Sequence, residues 1–331
     1  SWSLGCNTTG NCNTASGHYS LYCNTTGHRN TASGYSAMFS NTTGYGNTGI
    51  GRLSLYGNST GYYNTALGSA SLMANSTGHK NAAFGAYSLR QNTTGSCNTA
   101  SGYYANNKNT TGCGNVANGI WANYCNTTGC LNTASGYLAL AANTTGCRNT
   151  APGYAALRSN TTGCDNTAVG LNALNANTTA CNNTGIGYTA LTSNTTADDN
   201  TAVGWYSLGA NTTGCRNVAV GSGASLCNTT GIQNESMGFG ALSCNTTGSC
   251  NTAMGYKTLD ANTTGDSNVA MGKDALTANT TGAANNAVGQ QSLFANTTGA
   301  ENVAVGRQAV SYTHLRAHET EADLVCRLLL E

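Results

Sequence analysis

Polar and apolar positions follow one another along this chain on a fixed beat of 17 residues. Asn160–Ala176 reads NTTGCDNTAVGLNALNA: a polar opening, a short apolar stretch closed by glycine, then an Ala-Leu pair. Eighteen such registers begin at Asn7, Asn24, Asn41 and onward to Asn296, with no insertion or deletion. Numbered from that asparagine, positions 1–17 read N-T-T-G-x-x-N-T-A-x-G-x-x-A-L-x-x. A slip-free period near 20 marks stacked units that contact their neighbours. Seventeen residues are too few for a helical hairpin, and Gly, Asn and Thr are poor helix formers. The pattern therefore predicts an all-β chain, a parallel β-roll or β-solenoid of about 18 coils. Each coil is expected to hold two short strands of about 4–5 residues and two turns. At about 4.8 Å per coil the array would be roughly 85 Å long.

Stacking turns each fixed position into a column. Asparagine fills positions 1 and 7 in every register, as in Asn160 and Asn166, and stacked amides can hydrogen-bond along the pile. Glycine at position 11, such as Gly170, is unbroken from Gly17 to Gly306, as a positive φ or a close backbone approach demands. Position 4 relaxes to alanine at Ala180 and Ala197. The expected inward face combines Ala at 9, the Val, Ile, Met or Leu at 10, Ala or Ser at 14 and Leu at 15, for example Ala168, Val169, Ala173 and Leu174. Positions 14 and 15 are neighbours, so a bend must separate them if both are buried. Pro152 occupies position 10, so either that position lies at a strand end beside the glycine turn or this coil has a local defect; Ser, Asn and Phe at the same position favour the strand end.

Composition narrows the function classes. Only 8% of the residues are charged, 43 are glycine and one is proline. No apolar run approaches the roughly 18 residues of a membrane span. Few Lys and Arg and a net charge of +1 leave no electrostatic footprint for nucleic acid. The chain opens in mid-repeat with SWSLGC, and the repeat ends after Ala309. The native array is thus read as residues 1–309, a fragment lacking both true termini. Beyond it, SYTHLRAHET resembles the translation of a transposase sequencing adapter, and LVCRLLL that of the flow-cell primer following it. Residues 310–331 are accordingly expected to be a non-native tail.

NTAVGxxAL alternating with NTTGxx resembles the head repeats of trimeric autotransporter adhesins. It resembles more closely the arrays of phage and bacterial tail-fibre-like proteins, where N-T-A-[IV]-G-x-x-A-L recurs with NTTG. The likeness spans Asn7 to Ala309. It implies left-handed parallel β-rolls, packed as a homotrimer into a rod that is extracellular, on a cell surface or on a virion. The implied partner is a host-surface glycan or protein.

Aromatic residues gather at position 12, with Tyr35, Tyr103, Tyr137, Tyr154, Tyr188, Trp205 and Tyr256 as candidate partner contacts. Lys273 and Arg307 share that column, so it is expected to face solvent. Tyrosine also simply suits a β surface. The paired threonines at 2 and 3 raise an alternative, an ice-binding face, which requires both columns to point outward although strand neighbours point oppositely. A passive stalk is the third reading. Every NTT or NST is a glycosylation sequon, but an asparagine fixed in each coil reads better as a ladder. Cysteine favours position 5, as in Cys113, Cys130, Cys147, Cys164 and Cys181. In-register neighbours point the same way, which disfavours disulfides, and zinc-type spacing is absent. His18, His28 and His79 have no fixed carboxylate beside them, and Asp198-Asp199 reads as a solvated turn. No cofactor or metal is expected, and the array is not expected to be an enzyme.

Overall fold

Each repeat folds as one 17-residue coil whose only regular strand is three residues long. The computed structural model describes residues 2–311, so the tail expected at 310–331 lies outside the described residues from 312 on. The chain forms two compact units, divided between Tyr206 and Ser207. The first carries β1 (Thr14–Ser16) to β12 (Thr201–Val203), and the second β13 (Val218–Val220) to β18 (Val303–Val305). Within each unit consecutive strands pair in parallel with a 17-residue offset, Thr14 with Thr31 and Val218 with Glu235. Both units are thus parallel β-solenoids, and no helix occurs among the described residues.

The expected two strands of 4–5 residues are replaced by a single strand at positions 8–10. Asparagine at 7 and glycine at 11 bracket it. Gly170 has φ +124°, and a Cβ there would sit 2.6 Å from the carbonyl oxygen of Gly187 in the next coil. Position 11 therefore needs glycine twice over, for its dihedral and for the close stacking.

The inward face also differs from expectation at one column. Alternation turns position 9 inward and positions 8 and 10 outward. Ala168 is fully buried, whereas Ile50, Ile186, Met237 and Met271, all at position 10, are exposed and Val169 is half-buried. A three-residue strand with its centre facing the core cannot bury its last residue as well. The coil therefore holds one large interior side chain, not two. That side chain is Leu at 15, fully buried at Leu21, Leu55, Leu174 and Leu259. Its neighbour at 14 is buried too, because positions 13 and 15 both adopt left-handed backbone: Asn172 at φ 54° and Leu174 at φ 50°. This breaks the strand-like alternation. Where position 14 is serine, its hydroxyl donates to a backbone carbonyl: Ser71 to Gly68 at position 11, at 2.9 Å, and Ser207 to Ala219 at 2.8 Å.

With so thin a core, hydrogen bonds between coils carry much of the cohesion. The backbone amides of Thr25, Thr26 and Gly27 and the Thr25 hydroxyl all donate to the Thr42 carbonyl. The two asparagine columns meet at the position-4 carbonyl. Gly163 O accepts from Asn160 Nδ2 at 3.0 Å and from Asn149 Nδ2, of the preceding coil, at 2.8 Å. Asn160 also donates to Asn143 and accepts from Asn177, while Asn166 donates to Asn149 and to the Ala180 carbonyl. At Ala180 the extra methyl accompanies a longer Asn194–Asn177 bond of 3.2 Å, against 2.8 Å for Asn177–Asn160.

Pro152 ends its strand, β9 (Thr150–Pro152), as its position requires. It has no N–H for the next coil, and β9 pairs with β10 (Thr167–Val169) only through Thr150 and Thr167, where other neighbours pair over three residues.

Candidate functional site: an exposed apolar column

Position 12 follows the position-11 glycine and precedes the left-handed residue at 13, so its side chain leaves the coil at a turn and faces solvent. In the first unit this produces an unbroken run over seven coils: Tyr103, Ile120, Tyr137, Tyr154, Leu171, Tyr188 and Trp205, all exposed. Five of the seven aromatic candidates thus share one continuous stripe. Tyr35 lies elsewhere in the same unit, stacked on His18 at 5.7 Å between ring centroids. Tyr256 belongs to the second unit, stacked on Phe239 at 5.5 Å. Ile120 and Leu171 complete the stripe but escape a search restricted to aromatic residues. Plain hydropathy counted from the position-11 glycine would have found them.

The rings are held against one another. Tyr137 and Tyr154 stack at 5.4 Å and 24°, and Trp121 at position 13 lies 5.9 Å from Tyr137. Tyr103 meets Tyr104 edge-on at 4.4 Å, and Trp205 meets Tyr206 at 4.3 Å. Position 13 supplies these lateral props and is half-buried at Tyr104 and Tyr206. Desolvation, then the Tyr104 hydroxyl, push the Tyr103 phenol above its ordinary pKa. The stripe offers flat, uncharged, partly immobilised surface with phenol and indole edges available for hydrogen bonds.

Two further ring stacks were not read from the sequence. Tyr22, Phe39 and Tyr56 stack at position 16, and His28, Tyr45, Tyr62 and His79 at position 5, with centroid spacings of 4.6–5.1 Å in the latter. The two position-5 histidines are therefore the ends of one four-ring pile, and His79 Nδ1 also lies 3.0 Å from Ser96 Oγ.

The threonine columns part company. Position 3 is exposed throughout, as at Thr26 and Thr162, whereas position 2 is half-buried at Thr25 and Thr161. The Thr161 hydroxyl is donated to the Thr178 carbonyl at 3.0 Å. The sequon asparagine Asn160 is fully buried with its Nδ2 committed to two bonds. Asp198 accepts the Cys181 amide, and Asp199 accepts from Asn182. No known protein family and no curated protein matches this chain.

Proposed function

We propose that this array is the repeat region of a fibrous adhesin or tail-fibre-like protein, extracellular or virion-borne, that presents a multivalent contact surface to a host or cell. The observation that carries this reading is the seven-coil run of exposed apolar side chains at position 12, which includes Tyr137, Tyr154, Tyr188 and Trp205. Exposed apolar surface of this extent calls for a partner, and stacked tyrosine and tryptophan rings suit the apolar faces of sugars or a protein surface. Each contact is weak, but repetition on one scaffold multiplies the affinity. In this reading the chain works as a homotrimer, so that three stripes act together.

The test is binding of the purified array to a glycan array and to intact cells, beside a variant with Tyr137, Tyr154, Tyr188 and Trp205 changed to serine. Adhesion predicts binding by the parent and its loss in the variant. Equal binding by both, or by neither, overturns it. Sedimentation of the parent should give the mass of three chains.

Ice binding is favoured by one observation, the exposed threonine column at position 3. It draws less support from position 2, whose hydroxyls are donated to backbone carbonyls, as Thr144 is to Thr161. Inhibition of ice recrystallisation, abolished by Thr→Val changes at position 3 and not by the position-12 serines, would favour it instead. A passive stalk predicts neither activity.

A further inference from the structure

One turn of the coil has a backbone amide that no backbone carbonyl satisfies. Where the following coil carries a sulfur, hydroxyl or carboxylate within reach at position 5, that side chain accepts the position-5 N–H instead. Ser96 Oγ serves His79 this way at 3.1 Å, Asp198 serves Cys181 at 2.7 Å, and Asp266 serves Ser249 at 2.7 Å. Serine, aspartate and cysteine all fill this role. In five successive coils the residue is cysteine. The amides of Cys113, Cys130, Cys147 and Cys164 donate to the sulfur of the next cysteine at 3.1, 3.1, 3.2 and 3.1 Å. Each thiol in turn donates to the carbonyl of the threonine two residues before it, from Cys113 to Thr111 at 3.3 Å through Cys181 to Thr179 at 3.7 Å. Repeated contacts mean a repeated side-chain conformation, so the sulfurs recur at the coil spacing of about 4.8 Å. They stand at the surface, Cys113 exposed and the other four half-buried, and none is in a disulfide.

That spacing selects a chemistry. Among the described residues no group of three or more His, Cys, Asp or Glu converges on one point, so a tetrahedral site of the zinc type has no ligand set here. Two sulfurs about 4.8 Å apart match a linear S–metal–S unit with metal–sulfur bonds of about 2.3 Å. Thiolates select soft cations such as copper(I). The rigid coil holds the pair at the right distance before the ion arrives.

We propose that Cys113, Cys130, Cys147, Cys164 and Cys181 form a linear binding column for soft d10 cations of the copper(I) type, each ion two-coordinate between sulfurs of adjacent coils. Each ion that enters forms two metal–sulfur bonds and displaces two thiol protons to solvent. No oxidant or reductant is consumed. With each thiolate used once, the five sulfurs hold two ions, and four thiol protons are released.

Adjacency, not the number of thiols, is the variable to test. Cys23 and Cys244 are first changed to serine in the full chain, which removes the other stacked pairs, Cys6–Cys23 and Cys227–Cys244; serine already occupies that position at Ser40 and Ser159. In this parent, Cys130→Ser with Cys164→Ser leaves the column thiols two coils apart, about 10 Å. Cys97→Ser with Cys215→Ser removes as many thiols but none with a cysteine stacked on it. Serine stands at position 5 in Ser96 and Ser249, so the coil accepts it. Silver(I) and anaerobic copper(I) are titrated against a competing chelator, with the ultraviolet sulfur-to-metal charge-transfer band as readout. The parent and the matched variant should bind two ions in the column with equal affinity. The staggered variant should lose the band and bind about 10²–10⁴-fold more weakly, the gain a second linked ligand supplies. Retained binding in the staggered variant, an equal loss in the matched one, or no band in the parent overturns the proposal.

Discussion

Asn160 and Asn123 are both fully buried asparagines stacked on another asparagine one coil away, yet one is fully satisfied and the other is not. Asn160 sits at position 1, where the chain turns and the Gly163 carbonyl stands within reach, so its amide has a partner at every polar atom. Asn123 sits at position 15, inside the leucine column between Leu89 and Leu140. It donates to Asn106 Oδ1 at 3.1 Å, but Asn123 Oδ1 and Asn106 Nδ2 are buried with no partner. A ladder of amides is stable only where the backbone supplies an acceptor in every coil; a pair placed in an apolar column leaves its two outer ends bare. The second unit solves a similar problem differently. Ser225 replaces leucine at position 15, and it meets Ser236, which replaces alanine at position 9, at 2.9 Å, while Ser236 reaches the Val218 carbonyl.

The largest expected effect breaks the satisfied side of this comparison. Asn160→Leu strands the Asn143 and Asn177 amides and removes one donor from Gly163, and should cost about 3 kcal/mol or more, at 1–3 kcal/mol per orphaned group. Denaturant unfolding should show it as a lower midpoint. Next, Asn106→Leu with Asn123→Leu restores the apolar column and removes both bare atoms. This double change should stabilise by about 2–4 kcal/mol, and a fall in the unfolding midpoint would mean that the interior there is polar for another reason. Ser225→Ala should cost only about 0.5–1.5 kcal/mol, because Ser236 keeps its carbonyl partner.

The smallest effects lie at the surface and depend on pH. Burial first, then Asp274, raise the Asp260 carboxyl above its ordinary range, against the pull of Lys257 and Ser243. The folded state then binds that proton more tightly than the unfolded one, so stability falls as pH climbs from the ordinary carboxyl value to the folded one. Arg148 pairs with Asp165 at 2.6 Å and holds its carboxyl below the ordinary range, so this contribution is present above the unfolded value and lost as pH falls. Melting curves from about pH 3 to about pH 6 should flatten in opposite senses for Asp260→Asn and Asp165→Asn. The second shift should be barely resolved, since the pair is exposed.

The period, the glycine at 11 and the asparagine columns were legible because each is one residue type at one offset. The three-residue strand was not. Val, Ile and Met at position 10 read as core, and only the inward turn of Ala168 reveals that they face out. Left-handed backbone at 6, 13 and 15 left no trace either, because Arg148, Tyr206 and Leu174 are not residues that advertise it. At the candidate site the aromatic column was visible, but Ile120 and Leu171 were hidden by the search for rings. The unpaired amide at position 5 has no signature in a linear string at all, since its acceptor lies seventeen residues away.

That amide also offers a readout. Where the following coil provides sulfur, hydroxyl or carboxylate, as for Cys130 or Ile232, the proton is tied down. His28 and Tyr45 are followed by tyrosine, whose phenol oxygen does not accept their amides. Solvent deuterium should therefore enter at His28 and Tyr45 well before it enters at Cys130, so that a mass-spectrometric time course would display, coil by coil, which letter the chain has written at its fifth position.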